Sequence, residues 1–146
     1  MTRSSATSKT PARPRGAVSK ICGSVVEVRF PAGALPEINT ALTVLWDSPR
    51  PLTLEVQQHH DLRTVRCVAI QETAGLACGT EVENTGGPIT VPIGDCVMGR
   101  LLDVVGAPID HGPPLPDDAP RSHIHRKPPP LHAQAASGEP FLSGIK

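Results

Sequence analysis

Few residues in this chain have types and spacings that could do chemistry. His123 and His125 are separated by one residue and could begin a metal site. A closed zinc site needs further Cys, His or carboxylate ligands. The surrounding RSHIHRKPPP supplies none at ligand spacing, so the pair reads as solvent-facing histidines of a loop. His59 and His60 fall at an expected turn and read as surface. Glu81 and Glu83 could act as paired general acid and base, but residues two apart on a strand share a face, and the simpler reading is two solvated charges. Arg100 and Asp103 are three apart and would pair on the exposed side of a helix. Phosphoryl chemistry on a glycine-rich loop needs G-x-x-x-x-G-K-[ST], whose backbone N–H groups cradle phosphates while the lysine neutralises them. The four lysines are Lys9, Lys20, Lys127 and Lys146, and none follows a glycine. No catalytic, cofactor-binding or metal-binding residue is therefore assigned.

Composition narrows the partners. The 146 residues carry 14 basic and 14 acidic side chains, formal net charge +0. A nucleic acid or an anionic membrane surface would favour a basic face. Aromatics are 2 % with no Tyr, which removes the stacking platforms of single-strand binders. No nucleic-acid partner is expected. Cys22, Cys67, Cys78 and Cys96 form no C-x-x-C pair and each sits in or beside an apolar run, so four buried thiols in a reducing compartment are expected. No apolar run approaches the roughly 20 residues of a membrane-spanning helix, and no direct membrane insertion is expected.

The elements that must position these residues follow from periodicity. Residues 1–16 are basic, acid-free and Ser- and Pro-containing, which predicts a disordered N-terminal extension, with a transit peptide as the alternative. From residue 17 the pattern is β. Val26, Val28 and Phe30 alternate with Glu27 and Arg29; Leu42, Val44 and Trp46 form a second set. Leu52, Leu54 and Val56, a turn near His60-Asp61, then a pattern from Leu62 to Ile70 with Arg66, Val68 and Ile70 on one face and Val65, Cys67 and Ala69 on the other predict a β-hairpin whose second strand is apolar on both sides over part of its length. Shorter strands are expected near residues 80–83 and 89–91. About six short strands between Gly and Pro turns predict an all-β fold, a small closed six-stranded barrel over residues 17–93, because closure removes exposed edges. Such a domain is marginal alone.

The stretch 86–110, GGPITVPIGDCVMGRLLDVVGAPID, reads as a seam. Its extended start gives way at Gly94-Asp95 to Val97, Leu101 and Val104 or Val105 at helical spacing, which predicts a short helix with Asp95 as N-cap and Gly106 as its stop. The remainder carries nine prolines between Pro108 and Pro140, which excludes a regular helix or central strand. Residues 94–146 thus read as an extended, incomplete start of a second domain.

Taken together, SVVEVRFPAGALPEINTAL, LTLEVQQH, VRCVAI, GLACGTEVENTGGPITVPIG, MGRLLDVVGAPID, HIHR and GEPFLSGIK, in this order and spacing, resemble the N-terminal part of the β (catalytic) subunit of F-type ATP synthase over residues 16–146. FPAGALPEI, LEVQQH and IHR favour β over the α subunit and the flagellar and secretion ATPases, which share the G-R-x-x-D-x-x-G-x-P-x-D piece. The chain departs from the family pattern at Ile21-Cys22-Gly23-Ser24-Val25, in a shortened segment 47–51 and at Ser122-His123-Ile124. The resemblance implies a barrel that joins alternating α and β barrels in a hexameric crown, followed by the first elements of an α/β P-loop nucleotide-binding domain. It places Gly94, Gly99, Arg100, Asp103, Gly106, Pro108 and Asp110 at the structural junction. It implies α subunits and the γ subunit as partners, ATP/ADP and Mg²⁺ as cofactors of the full-length enzyme, and a peripheral complex on the cytoplasmic face of the cell membrane, with an organelle inner membrane as the alternative. The chemistry would lie downstream, so this chain alone is expected to be inactive and to be a piece of the family's subunit. The competing readings are a stand-alone β-barrel binding module and the N-domain of a flagellar or secretion-type ATPase.

Overall fold

A computed structural model describes residues 13–49 and 51–134. The expected extension up to residue 12 and the motif GEPFLSGIK lie outside them. Six strands, β1 (Arg15–Cys22), β2 (Val25–Arg29), β3 (Thr40–Leu45), β4 (Thr53–His59), β5 (Thr64–Ala69) and β6 (Glu81–Pro88), close a barrel in the order β1-β2-β5-β4-β3-β6. All six joints are antiparallel. The alternation read from sequence sets which side chains point inward: Val26, Val28, Leu42, Leu54, Val56, Val65, Cys67 and Val82 are fully buried and form the core with Val18, Phe30, Val44 and Leu52. Each large aliphatic side chain taken from water contributes about 1.5–3 kcal/mol, and no sheet edge of the barrel is left open.

Closure needs bends, and register irregularities supply them: between Val18 and Lys20 in β1, between Thr40 and Leu42 in β3, and between Val56 and Gln58 in β4. One extra residue on a strand kinks it and raises its twist. Gly16 brings β1 close to its neighbour, since a Cβ there would lie 2.8 Å from the Arg29 carbonyl oxygen and 3.0 Å from the Phe30 ring.

The six-stranded barrel is as expected, but its membership differs. The first barrel strand is Arg15–Cys22, so the last two residues of the segment read as an extension, Arg15 and Gly16, are part of the barrel. The segment near 89–91 is not a barrel strand: β7 (Thr90–Pro92) pairs with β8 (Arg121–His123), a strand inside the proline-rich segment, in a separate two-stranded leaf. The thiols also depart from expectation. Only Cys67 is buried; Cys22 and Cys78 are exposed and Cys96 is half-buried, because Cys22 ends β1 beside a turn and Cys78 lies in the loop before β6.

The seam helix is reduced to one 3₁₀ turn, Asp95–Val97. Met98 is already extended, and Asp95 is not the N-cap; Gly94 is, with φ 93° and no side-chain cap bond. The apolar spacing that suggested a longer helix does not mark a buried face, since Leu101 and Val104 are 59 % and 63 % exposed. Leu102 instead bridges to Pro108, and Ile109 N–H donates to the Leu101 carbonyl at 2.9 Å.

Candidate functional site

The residues singled out at the junction converge on this small hairpin. Gly106 N–H donates to the Asp103 carbonyl at 3.0 Å and closes a tight turn with Gly106 at φ 86°. The Asp103 carboxylate accepts from the N–H groups of Val105 at 3.0 Å and Ala107 at 2.7 Å. Asp103 therefore organises its own turn and does not pair with Arg100. A Cβ on Gly106 would fall 2.1 Å from Cδ of Pro92, so glycine is required both by the backbone angle and by the β7 strand packed on it.

Arg100 finds its partner ten residues on. Its Nε donates to Asp110 Oδ2 at 2.5 Å and its Nη2 to Asp110 Oδ1 at 2.9 Å and to the Pro113 carbonyl at 2.7 Å. Asp110 Oδ1 also accepts from Gly112 N–H at 3.0 Å. The Arg100 hydrogen bonds, followed by that of Gly112, hold the Asp110 carboxyl well below the usual carboxylate range. The fork geometry of guanidinium on carboxylate makes this a fixed joint. Gly94 and Gly99 take positive φ of 93° and 71° on either side of the 3₁₀ turn, and Pro108 forms the bridge to Leu102. Six of the seven junction residues, Gly99 to Asp110, thus belong to one hairpin, while Gly94 sits at its entry beside the Pro120 ring.

The chemistry-bearing residues elsewhere are put to structural use. Glu81 and Glu83 meet Arg15 and Arg13 across the β1–β6 joint, with Arg15 Nη1 to Glu81 Oε2 at 3.1 Å. His59 Nε2 donates to the Pro36 carbonyl at 2.8 Å. His123 is exposed on β8. His125 is exposed, as read, and at the same time sets Nε2 3.2 Å from Oε1 of Glu55, a barrel carboxylate that is itself buried. Sequence reasoning missed Glu55, which looked like an ordinary polar residue of an alternating strand. Among the described residues, no three His, Cys, Asp or Glu side chains gather where a metal ion could sit, and no helix is long and apolar enough to cross a membrane.

Comparison with known proteins bears directly on this arrangement. Residues 18–86, from the inner face of β1 to the glycine pair in β6, match the family described as ATP synthase alpha/beta family, beta-barrel domain. The barrel belongs to the ATP synthase alpha/beta family. Beyond it, the chain is 50 % identical over 135 residues to ATP synthase subunit beta 2 of Gluconobacter oxydans, covering 92 % of this chain and 28 % of that protein. It is 49 % identical over 133 residues to ATP synthase subunit beta 3 of Paraburkholderia xenovorans, 91 % of this chain and 27 % of that one. A Bradyrhizobium ATP synthase subunit beta 2 is 47 % identical over 131 residues, 90 % and 28 % respectively. The chain spans little more than a quarter of the length of these relatives. Because the ATP synthase likeness covers 92 % of the chain, it takes in the junction hairpin and the leaf as well as the barrel.

Proposed function

We propose that this chain is the N-terminal portion of the catalytic β subunit of an F-type ATP synthase, acting in assembly and in the mechanical connection to a nucleotide-binding domain. The observation that carries the reading is 50 % identity over 92 % of the chain to a β subunit, on a closed barrel of the matching family. In this reading the barrel, whose strands run from Arg15 to Pro88, is the unit that stands between α-subunit barrels in an alternating hexamer, and the leaf and junction that follow it open the nucleotide-binding domain. Gly94, Gly99, Arg100, Asp103, Gly106, Pro108 and Asp110 then serve as the rigid joint between the two. ATP, ADP and Mg²⁺ would be handled by a glycine-rich phosphate loop, which this sequence does not contain. The complex would lie peripherally on the cytoplasmic face of a membrane and include the γ subunit.

Sedimentation of the purified full chain with an ATP synthase α subunit tests the reading, with association expected. A chain that ignores the α subunit would overturn it. Adding Mg-ATP to the chain alone is expected to leave its melting temperature unchanged, and a clear nucleotide-dependent stabilisation would contradict placing the chemistry downstream.

A further inference from the structure

Glu55 occupies an unusual place. On β4 it lies between Leu54 and Val56, both of which point into the core, so its side chain is on the outer wall of the barrel. An outer carboxylate should meet water, yet Glu55 is only 5 % exposed. Its cross-strand neighbour Ala41 is likewise buried, and lies outside the cluster of side chains packed in the barrel interior. This part of the wall is covered, and the junction leaf lies over it: Ala41, Thr43 and Thr53 of the wall face Thr90, Val105 and Arg121 across a cavity of ≈ 300 Å³.

This open groove shows that the leaf and the junction hairpin leave part of the wall unpacked. Internally it is well made, with Ile93 N–H donating to the Pro120 carbonyl at 2.8 Å, Ile124 N–H to the Ile89 carbonyl at 3.1 Å, and Arg121 to the Thr90 carbonyl at 2.7 Å. Two of its attachments to the barrel stand out. At its root Ile89 is buried where β6 runs into β7. At its far end His125 Nε2 reaches Glu55 Oε1 at 3.2 Å, and the same oxygen accepts from Gln57 Nε2 at 2.5 Å.

We propose that Glu55 and His125 form a latch that holds the junction leaf against the barrel wall and so sets the angle at which the chain leaves the barrel. The imidazole serves in either protonation state, as an N–H donor when neutral and as the cation of an ion pair when charged. Removing it leaves the buried carboxylate with the Gln57 amide but without the imidazole, an under-satisfied state that is relieved when the leaf lifts and water enters. The latch depends only on contacts within this chain, so it stands whether or not an α subunit binds.

Residue-resolved hydrogen exchange on the full chain tests it. In His125→Ala the Ile93 and Ile124 amides are expected to exchange about tenfold faster or more, while the Val65 and Cys67 amides of the barrel keep their protection. Glu55→Gln, which keeps an acceptor oxygen but removes the charge, should give a smaller change in the same direction, and the double variant should add little to His125→Ala, because both changes act on one contact. Leaf amides that stay at the wild-type rate in a folded His125→Ala protein would overturn the proposal. So would acceleration of leaf and barrel amides by the same factor, which would make the contact a support of the whole barrel. His125 lies outside the barrel on an exposed segment, so this variant decides the matter even if Glu55→Gln fails to fold.

Discussion

Arg100 grips Asp110 through two parallel hydrogen bonds, Nε to Oδ2 and Nη2 to Oδ1, and so ties the two ends of the junction hairpin into a closed loop. Because these bonds are made to the ionised carboxylate, the folded-state pKa of Asp110 lies below its ordinary value near 3.8. A depressed carboxyl contributes stability that is present above the unfolded value and is lost as pH falls through the folded one. The hairpin is therefore expected to stay ordered from about pH 7 to pH 4 and to loosen only in stronger acid. Asp110→Asn should loosen it at neutral pH, read as faster exchange of the Leu101 and Gly112 amides with the barrel melting transition unchanged.

Gly106→Ala is expected to break the turn that Asp103 organises. An alanine at φ 86° is strained by about 1–2 kcal/mol, and its Cβ would collide with the ring of Pro92. Exchange at Val105 and Ala107, whose N–H groups bind the Asp103 carboxylate, should rise by an order of magnitude or more. An unchanged pattern would show that the β7 strand yields freely to the added methyl.

Neighbouring positions at the start of β1 should behave very differently. Arg15 is exposed and its ion pair with Glu81 is solvated, so Arg15→Ala should shift the denaturation midpoint only slightly, by at most about 1 kcal/mol. Gly16→Ala pushes a methyl against the Arg29 carbonyl and the Phe30 ring, and about 1–3 kcal/mol of stability should be lost. Urea unfolding of the two variants side by side checks the contrast.

The thiols should separate by reactivity. Burial raises the pKa of Cys67 to about 12, which keeps it a thiol in the folded protein. At about pH 8 iodoacetamide should modify Cys22 and Cys78 and leave Cys67 untouched until the protein is unfolded. Since the folded value is raised, the contribution of Cys67 to stability falls as pH climbs from its ordinary value of 9.0 towards about 12. Mass spectrometry of the alkylated peptides, with and without denaturant, distinguishes the sites.

Strands with unbroken alternation were legible before any coordinates. The β4–β5 hairpin followed from the alternation on either side of the His60-Asp61 turn, while only the fold chooses Val65, Cys67 and Ala69 over Val68 as the inward face of the second strand. β1 was not legible because Gly16 carries no side chain and the irregularity between Val18 and Lys20 interrupts the period of two. The seam misled for a related reason. Val97, Leu101 and Val104 match a helical period, but two positive-φ glycines at 99 and 106 and the Leu102–Pro108 bridge turn the segment back on itself. Arg100 and Asp110 were both recognised as junction residues while their pairing was not, Asp103 being the expected partner, since ion pairs on a hairpin obey no fixed spacing. Glu55 and His125 are seventy positions apart in sequence, and only the fold brings them within 3.2 Å.

The joint between β1 and β6 has a consequence for how the barrel is made. β1 turns directly into β2 at Gly23, but its other edge waits for β6, and Arg15 meets Glu81 across 66 positions of chain. Joining such distant segments costs more chain entropy than zipping a hairpin and is the slower event. On the ribosome, the first strand to emerge is then the last to be enclosed. Until residue 88 has left the tunnel its outer edge stays open, and that interval is when the nascent barrel is most exposed to pairing with the wrong strand.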